Sequence, residues 1–199
     1  MTHTIEIFWD FSSPYAYLGT TQADALAERT GSKLVWKPML LGGVFKSSGQ
    51  VEAPVLTWGE AKRDHTFKDL HRWADQFGVP FKFPSRFPMF TLKPMRAYIA
   101  MPDDRKKAFR EKTYRAYWAE DRDIADDATL RELIGEGADE ILAKTQTPEV
   151  KQALIDATNE AVKRGVFGAP TWIIDGKDDD LIWGQDRIPL VERLLTRGV

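Results

Sequence analysis

The sequence predicts an α/β fold from three observations: a strand–helix–strand opening, a long helical middle, and a closing hairpin followed by a helix. The opening strand is Ile5-Glu6-Ile7-Phe8-Trp9, a short β-branched and aromatic run. Ser13-Pro14 then starts a helix. Pro14 suits the first helical position, where its missing N–H would be unpaired anyway, which leaves Ser13 as the N-cap. One helix is expected from Pro14 to about Thr30, closed by Gly31, and then a second strand, Leu34-Val35-Trp36, ending at Pro38. A β-α-β unit of this kind feeds a parallel sheet.

After the polar turn Ser47-Ser48-Gly49-Gln50 the apolar spacing becomes helical. Phe67, Leu70, Trp73, Ala74 and Phe77 recur three or four apart before Gly78 and Pro80 end that helix. The same spacing returns in Leu92 to Ala100, Phe109 to Trp118, Leu130 to Ile134 and Val150 to Val162, the last introduced by Thr147-Pro148 as cap and first turn. Thr171-Trp172-Ile173-Ile174 and Leu181-Ile182-Trp183, joined through Asp175-Gly176, read as a hairpin. A last helix starts near Asp186 and carries Ile188, Val191, Leu194 and Leu195 on one face. This order is a thioredoxin-like layout with an inserted all-helical domain, divided as 1–45 and 160–199 for the former and 46–159 for the latter.

At 43% hydrophobic, 199 residues can bury one sizeable core. The first residues lead into a strand without a basic start or an apolar leader, and no apolar run approaches the roughly 20 residues that span a bilayer. The expectation is a cytoplasmic protein with no membrane contact. A net charge of −2, with both signs interleaved, provides no basic stripe for nucleic acid, so the expected partner is a small molecule. The absence of cysteine excludes disulfides, thiolate metal sites and a cysteine nucleophile. Any thiol chemistry must use an outside thiol. His65 and His71, six apart, fall on opposite helix faces, so no metal is expected. Asp103-Asp104 and Asp126-Asp127 read as helix caps.

Ser13 is the candidate for chemistry, because a hydroxyl at a helix start can hold an anion such as a thiolate; a plain cap is the other reading. Trp9, Phe45 and Trp58 read either as pocket walls or as core.

Three stretches in order carry a resemblance: Asp10-Phe11-Ser12-Ser13-Pro14-Tyr15-Ala16-Tyr17-Leu18, Gly165-Val166-Phe167-Gly168-Ala169-Pro170-Thr171 and Trp183-Gly184-Gln185-Asp186-Arg187. Together they resemble the 2-hydroxychromene-2-carboxylate isomerases, which belong with the kappa-class glutathione transferases. The resemblance implies a thioredoxin fold of the disulfide-forming kind, with Ser13-Pro14-Tyr15-Ala16 where those enzymes carry Cys-Pro-x-Cys. It implies glutathione as a recycled cofactor and Ser13 as hydrogen-bond donor to its thiolate, with Ser12 as the competitor. A thiol with a pKa of about 8.5 needs such a donor to ionise near neutrality.

The same resemblance makes Pro170 a cis-proline, with Ala169 binding the cysteinyl backbone. It gives Gln185 and Asp186 to the γ-glutamyl end, although Asp186 as a plain cap is an equal alternative. Lys62 would meet the glycyl carboxylate. Gln50 stands where an asparagine often contacts glutathione, and Phe90 replaces an amide near the expected substrate pocket. A homodimer is implied, acting on a small aromatic substrate in aromatic-hydrocarbon degradation. Two alternatives remain open: a kappa-like transferase or peroxidase, and a glutathione-binding module without catalysis.

Overall fold

In the computed structural model, residues 2–51 and 53–196 are described. The first strand, β1 (Thr4–Trp9), lies parallel to β2 (Lys33–Pro38), pairing Ile7 with Trp36. On its other edge it runs antiparallel to β3 (Thr171–Ile174), pairing Ile7 with Trp172. The two-residue strand β4 (Ile182–Trp183) closes the hairpin, so the sheet order is β2-β1-β3-β4. Alternation along β1 splits the core: Ile5 and Ile7 pack with Leu26, Trp172, Val191 and Leu195, whereas Phe8 joins the larger cluster under the helical layer. This is the thioredoxin-like sheet that the sequence predicts.

The single helix expected from Pro14 to Thr30 is two helices, α1 (Pro14–Thr20) and α2 (Ala23–Thr30). The cause is local. Thr20 and Thr21 hydroxyls donate back to the carbonyls of Tyr17 (3.1 Å) and Leu18 (2.6 Å), and the Gln22 N–H takes the Gly19 carbonyl three residues back, which tightens and ends the first segment. Gly31, at φ 63°, ends α2 as expected.

The helical region runs through α3 (Leu41–Ser47), α4 (Glu60–Phe77), α5 (Leu92–Ala100), α6 (Asp103–Trp118), α7 (Asp127–Ile134), α8 (Ala138–Lys144) and α9 (Pro148–Lys163). α3 and α8 carry too few apolar repeats to have been legible. α3 and α9 each cross one of the expected domain boundaries, so the insertion is continuous with the sheet domain through two helices. Asp126 caps α7 by accepting the Thr129 N–H, but Asp103 and Asp104 do not cap α6. They sit inside its first turn behind Pro102, where negative charge meets the positive helix end. The chain closes in a 3-10 turn (Gln185–Arg187) and α10 (Ile188–Thr196), beginning two residues later than Asp186 suggests. Among the described residues no helix is long and apolar enough to cross a membrane, and no cluster of His, Asp and Glu could hold a metal.

Candidate active site

The loop leaving β1 is held by α6 and by the loop before β3. Trp118 of α6 donates its indole N–H to the Phe11 carbonyl at 2.8 Å, and the Tyr114 hydroxyl donates to the Asp10 carbonyl at 2.9 Å. Ser13 follows in extended backbone as the N-cap of α1, and its Oγ accepts the Ala16 N–H at 3.0 Å. The same Oγ donates to the Ala169 carbonyl at 2.8 Å, across the loop before β3. The Ala169–Pro170 peptide is cis, as is Phe87–Pro88, for which the sequence offered no signal. α1 has only seven residues, so the dipole at its N-terminus is that of a short helix.

Above Ser13 opens a cavity of about 520 Å3. Ser12, Ser13, Gln50, Ala169 and Phe90 are among its lining residues, as are Phe45 and Trp58. Trp9 is not: it is fully buried, packed edge-on against Phe11 and Tyr98. Ser13 is 3% exposed, and its Oγ is engaged by the Ala16 N–H and the Ala169 carbonyl. Gly168 lets the Trp183 indole lie close against the wall, since a Cβ there would stand 2.4 Å from the Trp183 Nε1.

A family model for the DSBA-like thioredoxin domain matches residues 4–196. The chain belongs to that family. This DSBA-like thioredoxin domain is 31% identical to 2-hydroxychromene-2-carboxylate isomerase of Sphingobium xenophagum, over 98% of this chain and 99% of that one. It is 30% identical to glutathione S-transferase kappa 1 of Rattus norvegicus, over 96% and 90% respectively. A solved 2-hydroxychromene-2-carboxylate isomerase superimposes with a TM-score of 0.84 at 24% identity, covering 98% of this chain and 95% of that one, which bears out the fold.

The other residues singled out from the sequence of this DSBA-like domain scatter. Gln50 lines the cavity with its amide donating to the Phe167 carbonyl at 3.2 Å and to the Ser48 Oγ at 2.9 Å. Lys62 is exposed, outside the lining, with its Nζ 4.0 Å from the centre of the Trp58 ring. Pro170 is buried behind Ala169, with its carbonyl accepting the Gly184 N–H. Gln185 and Asp186 are not brought into the cavity. They line a separate depression with Arg29, Arg72 and Trp73. Asp186 is no cap either: it sits inside the 3-10 turn and pairs with Arg187 at 3.3 Å. Gln185 packs its Cβ close to Gly19 of α1, and the Asp186 carboxylate lies against Gly184. Tyr15, on the cavity wall, has its phenol pushed up by burial, with Asp69 and Asp186 adding to the shift.

Asp10 was missed as a site residue, although it opens the motif. Its carboxylate, 1% exposed, accepts from the Leu41 N–H (2.7 Å), the Thr91 hydroxyl (2.6 Å) and the Ser12 N–H (3.0 Å). It thereby fixes three walls of the cavity: the motif loop, the start of α3 and the start of α5. Burial raises its pKa and outweighs the lowering by these hydrogen bonds. Only the position of an acid directly after a buried strand could have pointed to it.

Proposed function

We propose that this chain is a glutathione-dependent enzyme of the isomerase type, acting on a conjugated aromatic substrate, with Ser13 as its catalytic residue. The observation that carries the reading is Ser13 in the lining of an aromatic-walled cavity, its hydroxyl bonded to the Ala169 carbonyl, in a chain without cysteine. Ser13 and Ala16 stand where disulfide-forming relatives carry their two cysteines, and neither can exchange disulfides, so that redox chemistry is chemically closed.

The residues present suit glutathione. Ser13 offers a hydroxyl to a sulfur anion, the Ala169 edge faces the cavity for an extended backbone, and Lys62 supplies a cation at the Trp58 rim for a carboxylate. Gln50 can offer its amide from the opposite lip. When bound, glutathione supplies a thiolate that adds reversibly to a conjugated carbon. Ser13 must then turn its hydrogen from the Ala169 carbonyl toward the sulfur, exchanging a neutral acceptor for a charged one, which is the stronger bond. The apolar walls keep water from the reacting carbon and strengthen that interaction.

Interconversion of 2-hydroxychromene-2-carboxylate and trans-o-hydroxybenzylidenepyruvate, with glutathione returned, is the reference reaction for this reading. A homodimer and a cytoplasmic setting belong to the same proposal. The relatives named glutathione S-transferase kappa favour a second reading, a transferase or peroxidase that consumes glutathione. Counting glutathione over many turnovers separates the two: an unchanged pool supports the isomerase, and loss of one thiol per product supports the transferase. A bound glutathione thiol that stays protonated at neutral pH, read as missing thiolate absorbance, would reduce the protein to a binding module.

A further inference from the structure

One face of α4 lines the cavity and continues past it. Thr66 and Leu70 are in the wall, and Lys62 stands four residues before Thr66 on the same face, one turn nearer the helix start. The Thr66 hydroxyl donates to the Lys62 carbonyl at 2.8 Å. Lys62 itself is exposed, and its ammonium lies over the face of Trp58, 4.0 Å from the ring centre, while Trp58 is a lining residue. Among the described lining residues there is no Lys, Arg or His, so a ligand carboxylate finds no cation in the wall, and Lys62 is the one that a wall residue holds beside it. We propose that Trp58 is a positioning residue that sets selectivity for a carboxylate-ended thiol by holding the Lys62 ammonium at the cavity edge. This rests on the glutathione reading, which gives Lys62 the glycyl carboxylate.

A free lysine side chain samples many rotamers and loses that freedom when it grips a ligand. With the ammonium already over the ring, less freedom is left to lose when a carboxylate arrives. An ammonium carries three N–H donors, and a π face does not occupy them all, so donors remain for the carboxylate oxygens. The position of Lys62 in the helix adds to the case. It is the third residue of α4, where the positive helix end disfavours a cation. The negative face of the indole offsets that repulsion in the free protein, and a ligand carboxylate does so in the complex. At an exposed site a cation over an aromatic face shifts an equilibrium by about two- to fivefold, enough to be read in a binding ratio.

The test is calorimetric titration of the full chain at neutral pH with glutathione and with its glycyl monoethyl ester, which keeps the thiol and the γ-glutamyl group and lacks only the glycyl charge. Wild type is expected to bind glutathione about tenfold more tightly than the ester. Lys62→Met should bring that ratio close to unity. Trp58→Leu should cut it about two- to fivefold, and Trp58→Phe, which keeps a π face, should hold it near the wild-type value. A full ratio in Trp58→Leu overturns the proposal, and so does equal weakening of acid and ester in that variant, which would make Trp58 an ordinary wall residue. A ratio that Lys62→Met leaves unmoved also overturns it, because another group would then read the carboxylate. Failure of both forms to bind sinks the glutathione premise and this proposal together, whereas binding of both without discrimination sinks the proposal alone.

Discussion

The Ser13 hydroxyl donates to the Ala169 carbonyl at 2.8 Å, joining two cavity-lining residues 156 positions apart. One oxygen thus caps α1 and ties the motif loop to the cis-proline loop.

Ser13→Ala removes that oxygen. We expect turnover to fall by about 100-fold, the usual effect of losing one donor to a developing anion, with glutathione still bound. The lost cap also lowers stability by about 1 kcal/mol. Ser12→Ala is the control, because Ser12 also faces the cavity. Steady-state rates on both variants decide the assignment: a larger loss in Ser12→Ala moves the thiolate donor to Ser12.

Asp10→Asn tests the buried carboxylate. An amide has one accepting oxygen, so either the Leu41 or the Ser12 N–H loses its acceptor, at a cost of about 1–3 kcal/mol. Because burial raises the folded pKa of Asp10 above the unfolded value of about 3.9, its protonation favours the folded state. That contribution is complete below the unfolded value and is lost as pH rises through the folded one. Urea midpoints of wild type, compared with the variant, should therefore decline from about pH 4 upward until Asp10 is ionised; a flat difference would contradict the assignment.

Glu6 behaves in the opposite sense. The Arg164 guanidinium, 2.7 Å from its carboxylate and also paired with Asp178 at 2.7 Å, holds the Glu6 carboxyl below the usual range. This stabilises the fold above the unfolded value of about 4.3 and fades as pH falls through the folded one. Arg164→Ala should cost about 1–3 kcal/mol at neutral pH, and less in acid, by thermal or chemical denaturation.

Two glycines predict contrasting outcomes. A Cβ at Gly168 meets the Trp183 indole, which is 46% exposed and can swing aside, so Gly168→Ala should change stability by less than about 1 kcal/mol. Substrate KM should rise and tryptophan emission should change, since the cavity wall moves. At Gly19 the neighbours are Pro170 Cγ at 2.9 Å, Gln185 Cβ and Trp172, all buried, so Gly19→Ala should cost about 1–3 kcal/mol by urea unfolding.

Much of the secondary structure was legible because its signals are local. Gly31 and Gly78 stop helices through their own left-handed backbone, Thr147-Pro148 starts one, and the apolar repeat of α5 marks its full length. The break between α1 and α2 was not, because hydroxyl back-bonding competes with an otherwise continuous helical pattern. Within the site, Ser13 and the cis bond at Pro170 were reached from the motifs, while Gln185 and Asp186 were expected beside them and lie in another depression.

The sequence by itself determined the order of strands and helices, the cap at Ser13 and the absence of any internal thiol, since each follows from residue type and near neighbours. Tertiary structure alone decided that Asp10 grips Leu41 and Thr91, that Trp9 is core while Trp58 faces the cavity, and that Phe90 remains exposed. Those outcomes depend on which distant segments fill the space around a side chain, and packing of that kind leaves no mark in the spacing of adjacent residues.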